Sequence, residues 1–480
     1  MLFNSPVFIF LFLPVALLVY FLLNRANLTI VSKQWLIISS LFFYSWWNVL
    51  YLPLMISSIL INYFTALQIQ NNQKRKKVYM LLGVFFNISF LGYFKYMDFF
   101  ISNVNAIAGT EFPLLHLVLP LAISFYTIQQ IAYLIDSYGG LVKEKNFYDY
   151  VLFTTFFPHL LAGPILHHKE MMPQFKTTEN KQVNYHNLAA GLFIFSIGLF
   201  KKVVIADTFA EWATAGFQNS AQLNLIEAWA TSLSYTFQLY FDFSGYTDMA
   251  IGVALLFNIK LPQNFNSPYR AINVIDFWSR WHMTLTRFLT AYIYEPIVRS
   301  FGKFSFNRAM FATMVTMLIA GLWHGAAWTF VIFGFLHGFA MVLNHYWKKT
   351  KIKLPVILAW FLTFSFLNLS FVIFRADNLE TVTNIYKAML GLNGIVIPKI
   401  LTFINTSAVT FGDVYSHING KAQTTAYIIL ALIFILRFPN TTQLAKSFET
   451  TLYNLVLTFV FLSVSFSMLS RVSEFLYFNF

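Results

Sequence analysis

The chain has 480 residues, of which 58% are hydrophobic and 11% are charged, and it contains no cysteine. Soluble domains are about 45–50% apolar and about 25% charged, so this composition excludes an ordinary soluble protein and indicates a polytopic α-helical membrane protein. Without cysteine there are no disulfides, thiolate metal sites or cysteine nucleophiles. The net charge of +13 comes mainly from basic loops between apolar runs, which indicates membrane orientation and not nucleic-acid binding.

Apolar runs predict an all-α fold of about 11–13 transmembrane or re-entrant helices, in a single membrane domain over residues 1–480. The first run, near 5–24, lacks a basic flank and a small-residue cleavage motif, so it is predicted to be a retained span and not a signal peptide. The other runs lie near residues 34–50, 53–69, 78–97, 114–135, 147–166, 186–206, 228–257, 308–323, 326–346, 354–374, 424–437 and 451–470.

Charged loops predict the orientation of these helices. The basic stretches NNQKRKK (71–77) and KKTKIK (348–353) are expected in the cytoplasm. The loops 98–113 and 207–227 contain acidic residues but no lysine or arginine, so they are expected on the outer side. Residues 376–423 are predicted to form the one sizeable outer loop, a small cap.

The run at 147–166 differs from the others because lysines flank it on both sides, among them Lys143, Lys145 and Lys169. Both of its ends are therefore expected at the cytoplasmic face, and the run is predicted to be a re-entrant element. Broken backbone at membrane depth is tolerated only where protein or a water-filled cavity surrounds it. A cavity near the middle of the chain follows as an expectation.

Residues 260–308 are predicted to form a cytoplasmic interfacial segment. Arginines and aromatic residues alternate in its stretch DFWSRWHMTLTRFL (276–289), a pattern typical of an amphipathic helix at a membrane surface. Arg280 and His282 in this stretch could hold an anionic cofactor. The segment could equally be a plain interfacial anchor, and the residues alone leave both interpretations open.

His324 lies in the apolar run MLIAGLWHGAAWTFVIFGFLHG (317–338), which contains no acidic residue. Sixteen residues of helix from Arg308 cover about 24 Å of the roughly 30 Å hydrocarbon core, so His324 is expected near the turn of a helical hairpin. An ionisable group at this depth is a functional-site hypothesis by default. A structural role is the alternative, because small residues at helix-packing spacing surround it: Gly321, Gly325, Gly334 and Gly338. His337 and His345 are interpreted as structural.

Asp242 and Asp248 lie in the apolar stretch YFDFSGYTDMAIGVALL (240–256). A carboxylate at mid-membrane costs about 2.5–3.5 kcal/mol unless it finds water or a partner, so the pair indicates a polar interior. Ser244 and Gly245 suggest a break in the helix. The alternative role for the two carboxylates is structural pairing with arginines, for which three are available: Arg270, Arg280 and Arg287.

The sequence lacks several familiar catalytic motifs. It has no phosphate-binding loop, no dinucleotide-binding turn after a strand and no G-x-S-x-G nucleophile motif. No histidine pair has metal-binding spacing, and His167 and His168 point about 100° apart on a helix. No metal is expected. A histidine-centred site inside a membrane remains.

Four stretches in order, FDFSGYTDMAIG, NFNSPYRA, FWSRWHMTLTRFL and GLWHGAAWTFVIFGFLHG, closely resemble the membrane-bound O-acyltransferase (MBOAT) family. The branch is that of the bacterial alginate O-acetyltransferase membrane subunit, which FFPHLLAGPI and LPLAISFYT also fit. The resemblance is strong over residues 1–350 and weak beyond. It implies a multi-helix fold enclosing a tunnel across the bacterial inner membrane.

The resemblance also implies roles for residues. His324 corresponds to the family's catalytic histidine, and His282 to its second characteristic position on the cytoplasmic approach. The implied reaction moves an acyl group, most commonly acetyl, from acetyl-CoA or another cytosolic thioester to a hydroxyl of an exported polysaccharide. The residues expected to bind substrate or donor, or to line the tunnel, are Arg280, Trp281, Asp242, Ser244, Asp248, Asn266, Trp323 and Trp278.

The implied chemistry explains a histidine without an acidic neighbour. Neutral imidazole is the side chain suited to take a hydroxyl proton near pH 7, and general-base catalysis contributes about 10²–10⁴-fold. A transient acyl-histidine is the other possibility, and the sequence does not choose between them. Branch members also work with an outer-side partner of the SGNH-hydrolase type and with polysaccharide machinery, and the same partners are expected here.

One segment departs from the branch. Where the branch reads FLRDYLYIPLGG, this chain reads FLTAYIYEPIVRS (288–300), which puts the donor geometry and alginate itself in doubt. D-alanylation of teichoic acid and acylation of a lipid are alternatives within the family. A membrane transporter with a proton-relay histidine is the alternative from another class, weakened by the lack of an internal repeat.

Overall fold

The computed structural model describes residues 1–142, 145–161, 163–398, 410–469 and 476. Three sequence features fall partly or wholly outside these residues: the flanking lysine Lys143, Ala162 of the predicted re-entrant element, and residues 399–409 of the predicted outer loop.

The described chain is almost entirely helical. Its first helices are α1 (Leu13–Arg25), α2 (Thr29–Ser45), α3 (Tyr51–Asn71), α4 (Lys76–Leu91), α5 (Met97–Ala108), α6 (Ile123–Tyr138), α7 (Phe147–Thr155), α8 (Phe157–Leu160), α9 (His168–Lys176), α10 (Tyr185–Phe200) and α11 (Asp207–Gln218). The helices that follow are α12 (Leu225–Leu256), α13 (Val274–Arg280), α14 (Met283–Leu289), α15 (Glu295–Ser300), α16 (Phe306–His324), α17 (Trp328–Thr350), α18 (Val356–Arg375), α19 (Leu379–Met389), α20 (Ala422–Arg437), α21 (Thr441–Lys446) and α22 (Leu452–Ser467).

Short stretches of other geometry join these helices. Two 3₁₀ turns lie at Glu179–Lys181 and Pro268–Arg270, and a small parallel ladder pairs β1 (Val396–Pro398) with β2 (Thr410–Gly412), Val396 opposite Thr410. Four π-helical stretches continue α-helices without a break: Phe8–Phe12, Gly92–Tyr96, Lys201–Ala206 and Thr290–Tyr294.

Seven helices in the described residues are long and apolar enough to cross a membrane. They are Phe8–Arg25, Tyr51–Asn71, Lys76–Ala108, Tyr185–Gln218, Phe306–His324, Trp328–Thr350 and Val356–Arg375. Two shorter apolar helices, α20 and α22, follow near the C-terminal end. The all-α membrane fold predicted from the composition is confirmed.

Two predicted outer loops are wrong in their first halves, because the helices continue through them. The helix from Lys76 runs to Ala108, and the helix from Tyr185 runs to Gln218. In each case the first acidic residue of the predicted loop has a partner within the fold. Asp98 accepts hydrogen bonds from the backbone amides of Leu115 and His116, and Asp207 pairs with Lys202 at 2.8 Å.

The element predicted to be re-entrant consists of two short buried helices, α7 and α8, separated at Phe156. The Phe157 amide, released by this break, donates a hydrogen bond to Ser40 Oγ on α2 at 3.1 Å. The backbone is thus interrupted where protein surrounds it, which is the condition under which such a break is tolerated at membrane depth.

The stretch 276–289 does not form one amphipathic surface helix as predicted. It forms α13 and α14 with a break at Trp281–His282, where His282 adopts a left-handed backbone conformation with φ 44°. Trp278, Trp281 and His282 are all buried. The aromatic residues are explained by core packing and not by contact with lipid headgroups.

The predicted helix break at Ser244–Gly245 is also wrong, since α12 continues through it to Leu256. Gly245 serves close packing: a Cβ atom at this position would lie 2.8 Å from the Gly198 carbonyl oxygen. The long helix α12 therefore packs directly against the backbone of the Tyr185–Gln218 helix.

Candidate active site

His324 is the last residue of α16, and the chain turns through Gly325–Ala327 into α17. The predicted hairpin is confirmed. Its two helices are in close contact, because a Cβ atom at Gly321 would lie 2.3 Å from the Phe330 carbonyl oxygen and 2.9 Å from Gly334 Cα. The small residues around the histidine thus bring the helices together, as their spacing predicted.

The His324 side chain lies in an aromatic environment and is 3% exposed. Its ring centroid is 5.0 Å from that of Trp323, 5.2 Å from that of Phe374 and 6.4 Å from that of Phe333. Phe333 comes from α17 and Phe374 from α18, so three helices enclose the imidazole. Neither phenylalanine was singled out by the sequence, because aromatic residues are frequent throughout this chain.

His282 is brought to the same place. Its ring centroid lies 6.1 Å from that of Trp323, so the Trp323 ring is near both histidine rings. Burial lowers the pKa of the His282 imidazole to about 3, so its ring is neutral at physiological pH. A non-glycine residue in the left-handed region costs about 1–3 kcal/mol and is concentrated at functional sites.

Asn264 forms a hydrogen bond with His282. The sequence predicted Asn266, two residues later, and not Asn264. Asn264 Oδ1 accepts from His282 Nδ1 at 3.1 Å, and from the backbone amide and the hydroxyl of Thr284 at 3.2 and 2.9 Å. The Thr284 hydroxyl in turn accepts from the Ile165 amide at 3.0 Å. This network ties His282 to the C-terminal end of the element predicted to be re-entrant, residues 147–166. Asn266 instead donates its backbone amide to the Arg280 carbonyl, and its side-chain oxygen accepts from Asn440 Nδ2.

Two cavities adjoin the histidines. One of about 400 Å³ is lined by residues beside His282, among them Thr284 and Arg287. The other, of about 320 Å³, is lined by the Gly325–Ala327 turn that follows His324, together with Lys95. Met283 and Thr284, which follow His282 in the chain, line the first cavity, and Gly325, which follows His324, lines the second.

Lys95 and Tyr96 were missed by the sequence analysis. Lys95 Nζ donates to the carbonyl oxygens of Trp323 at 2.6 Å and His324 at 3.1 Å, and the Tyr96 hydroxyl donates to that of Leu322 at 2.7 Å. A lysine in the middle of an otherwise apolar helix is the signal that could have drawn attention to this position.

Trp278 in α13 and Trp281 directly after it contact other side chains of the core. Trp278 Nε1 donates to His337 Nδ1 at 3.1 Å, and His337 Nε2 donates to the Ser370 hydroxyl at 3.0 Å. His337 therefore links α13, α17 and α18. Trp281 stacks on Phe277 with ring centroids 5.5 Å apart. Arg280, one third exposed, pairs with Asp276 at 2.7 Å.

The carboxylates of α12 pair with two adjacent lysines on the neighbouring helix. Asp242 lies 2.7 Å from Lys202 Nζ, and Asp248 lies 2.6 Å from Lys201 Nζ and accepts from the Thr441 hydroxyl. Ser244 is buried on the same helix between them. These two ion pairs join α12 to the Tyr185–Gln218 helix.

The prediction that arginines pair with Asp242 and Asp248 is wrong. Arg270 donates to the carbonyl oxygens of Ile435 and Phe438, and Arg287 makes two hydrogen bonds to Glu170 at 2.7 and 3.0 Å. The lysines reach the carboxylates because α10 and α12 pack side by side, which sequence spacing does not reveal.

Known proteins are similar to this chain over its whole length. The model of the MBOAT, membrane-bound O-acyltransferase family, matches residues 140–376. A peptidoglycan O-acetyltransferase of Helicobacter pylori is 46% identical, over all of this chain and 98% of that protein. The probable alginate O-acetylase AlgI of Pseudomonas aeruginosa is 36% identical, over 92% of this chain and 82% of its own.

A teichoic acid D-alanyltransferase of Bacillus subtilis is 28% identical, over 53% of this chain and 68% of its own. The resemblance drawn from the four motifs is confirmed, and the transporter alternative is set aside. The chain belongs to the membrane-bound O-acyltransferase family and is a multi-pass O-acyltransferase of the membrane.

Proposed function

We propose that this protein transfers an acetyl group from a cytosolic thioester to a hydroxyl of an exported polysaccharide, and that this polysaccharide is peptidoglycan. The observation that carries the proposal is the position of His324, which is buried at the end of α16. The residues that follow His324 line one cavity, and the residues that follow His282 line another. The full-length similarity to the Helicobacter pylori enzyme supports peptidoglycan over alginate.

In the proposed reaction, His324 acts as the general base. Its neutral imidazole takes the proton from the attacking hydroxyl while the oxygen forms a bond to the thioester carbonyl carbon. The carbon–sulfur bond then breaks, and the imidazolium returns the proton to the leaving thiolate. Enclosure by Trp323, Phe333 and Phe374 excludes water, which would otherwise hydrolyse the thioester.

The donor in this proposal is acetyl-CoA, which enters through the cavity beside His282. Hydroxyl groups of Ser279, Thr286 and Thr290 line this cavity together with the Arg287 guanidinium, and they suit a thioester carrier with an amide-containing arm. Met283 and Thr284, which follow His282 in the chain, also line this cavity. Thr290 and Ala291 belong to the segment that departs from the alginate branch, so the cavity wall differs there.

The acceptor side is the cavity beside the Gly325–Ala327 turn. A polysaccharide outside the membrane needs a carrier for the acetyl group, and we propose a periplasmic partner of the SGNH-hydrolase type for this step. Adjacent genes for such a partner and for cell-wall synthesis would support this assignment. A gene for a carrier protein with its ligase would favour D-alanylation instead.

The test compares wild type, His324→Ala and the control His345→Ala in cells whose chromosomal copy is deleted, with matched protein levels in the membrane. His345 lies on the same hairpin, near the end of α17 that is far from His324 in the chain, and is partly exposed. Acetate and D-alanine released by mild base from purified peptidoglycan are both quantified.

Loss of peptidoglycan acetate in His324→Ala alone, by about 10²–10⁴-fold in initial rate, is the expected result for a general base. If wild-type peptidoglycan carries no acetate that depends on this protein, peptidoglycan is the wrong acceptor. If His324→Ala acetylates normally, the catalytic assignment fails. Loss of ester-linked D-alanine in place of acetate would establish the D-alanyl alternative.

A further inference from the structure

Lys95 contacts the C-terminal end of α16, the helix that carries His324. Its Nζ donates to the carbonyl oxygens of Trp323 and His324, at 2.6 and 3.1 Å, and to the Ser124 hydroxyl at 3.2 Å. It also lies 6.0 Å from the centroid of the Trp323 ring. Lys95 therefore holds the backbone of both residues that form the centre of the site.

These carbonyl groups need a partner because α16 ends inside the membrane. The last carbonyls of an α-helix have no donor within the helix, and the hydrocarbon region supplies no water to replace one. The Tyr96 hydroxyl donates to the Leu322 carbonyl oxygen at 2.7 Å. Two successive residues of one helix therefore supply hydrogen-bond donors to the last carbonyls of α16.

The local geometry of the Lys76–Ala108 helix lets the adjacent side chains of Lys95 and Tyr96 both reach the end of α16. Residues Gly92–Tyr96 form a π-helical stretch, which is wider than an α-helix and occurs frequently at functional sites. A Cβ atom at Gly92 would meet nothing within 4 Å, so the stretch is not forced by crowding at this glycine.

A neutral donor would satisfy the carbonyls, so the positive charge calls for a separate reason. Among the described residues, the ion pairs do not include Lys95. Asp98, on the same cavity wall, accepts from the amides of Leu115 and His116. The Lys95 charge is thus balanced by carbonyl oxygens, that is, by the negative end of the α16 dipole, at which His324 stands.

We infer that Lys95 is a positioning residue for the acyl transfer: its ammonium group fixes the Trp323–His324 backbone through charge-assisted hydrogen bonds, which are stronger than those of a neutral donor. The inference rests on the proposed catalytic role of His324. It assigns to the Gly92–Tyr96 stretch a function in catalysis in addition to helix packing.

The experiment uses the full-length protein together with its periplasmic partner, in detergent or proteoliposomes, with acetyl-CoA as donor and a soluble N-acetylglucosamine oligosaccharide as the final hydroxyl acceptor. Release of the CoA thiol is followed with a thiol reagent, which the protein itself does not consume because it contains no cysteine. Four variants are compared: Lys95→Met, Lys95→Gln, Lys95→Arg and Tyr96→Phe.

The control variant is Asn103→Ala. It removes the hydrogen bond from Trp328 Nε1 to Asn103 Oδ1, at 2.9 Å, between the same helix and the same hairpin, without touching the end of α16. Its kcat is expected to equal that of wild type.

Lys95→Met is expected to lower kcat by about 10²-fold, the size of a small misplacement of catalytic groups, with KM for acetyl-CoA within twofold of wild type. Lys95→Arg retains the charge and is expected to keep at least about a tenth of kcat. Lys95→Gln retains a donor but not the charge and is expected to resemble Lys95→Met. Tyr96→Phe, which loses one uncharged hydrogen bond, is expected to lose less than about tenfold.

Equal rates for Lys95→Gln and wild type would reduce Lys95 to a hydrogen-bonding helix cap and overturn the inference. A wild-type rate for Lys95→Met would overturn it as well. If Lys95→Met does not fold, the comparison of Lys95→Arg with Lys95→Gln still decides, since both side chains can donate. Thiol release that persists in His324→Ala identifies failure of the proposed function itself, independently of Lys95.

Discussion

Asn264 holds both His282 and Thr284 through its single side-chain carbonyl oxygen. It accepts from His282 and twice from Thr284, and all three residues are buried. A buried donor that loses its acceptor cannot turn to water and costs about 1–3 kcal/mol. At the scale of single residues, the site is therefore held by hydrogen bonds to the backbone and to one side-chain amide, while aromatic side chains enclose the His324 ring.

We expect Asn264→Ala to lower the free energy of unfolding by about 1–3 kcal/mol, because three hydrogen bonds lose their acceptor. Acetyl transfer should also slow, since nothing fixes the His282 ring at its Nδ1. Thermal unfolding and thiol release in detergent measure the two effects. Asn187→Ala is the control, as it breaks the Asn187–Asn258 hydrogen bond outside the site. Unchanged unfolding and unchanged rate in Asn264→Ala would contradict the role given to Asn264.

At the scale of elements, the α16–α17 hairpin decides where His324 lies. Its helices meet at Gly321 and Gly334, whose backbones are in direct contact. The hairpin and its turn were predictable, because the apolar length of α16 and the spacing of its glycines are local properties of the sequence. The two helix ends placed at residues 98 and 207 were not, because Asp98 and Asp207 are satisfied by partners that the local sequence does not reveal.

We expect Gly321→Ala to separate α16 from α17 and to destabilise the protein by about 1–3 kcal/mol, the usual cost of overpacking. The new methyl group would lie 2.3 Å from the Phe330 carbonyl oxygen, which is backbone and cannot move alone. The unfolding midpoint and the acetyl-transfer rate should both fall. Gly92→Ala, where a methyl group meets nothing within 4 Å, should leave the midpoint unchanged. Equal midpoints for the two variants would show that the helices can shift freely.

At the scale of the whole molecule, the charges at the helix ends determine the orientation in the membrane. Lys76 begins the helix on which Lys95 reaches His324, and Arg308 stands near the start of α16, so these basic residues lie at the same end of the bundle. The positive-inside rule assigns this end to the cytoplasm. The sides given to the proposed donor cavity, near Met283 and Thr284, and to the proposed acceptor cavity, at the Gly325–Ala327 turn, rest on this assignment.

We expect single cysteines to report this orientation directly, because the protein has none of its own. In intact spheroplasts, Glu111→Cys should react with a membrane-impermeant maleimide, since it lies in the exposed stretch after the Lys76–Ala108 helix. Lys74→Cys should react only after the membrane is permeabilised. The reverse labelling pattern would invert the assignment of donor and acceptor sides.

The sequence by itself determined the membrane class, the hairpin that turns after His324 and the family, and it predicted the two histidines of the candidate site. These follow from apolar length and from contiguous motifs, which are properties of neighbouring residues. Only the tertiary structure decided the partners. Asp248 meets Lys201 across 47 positions, and Lys95 meets His324 across 229. Such contacts depend on which helices pack together and at what register, and no local pattern of residue types encodes that choice.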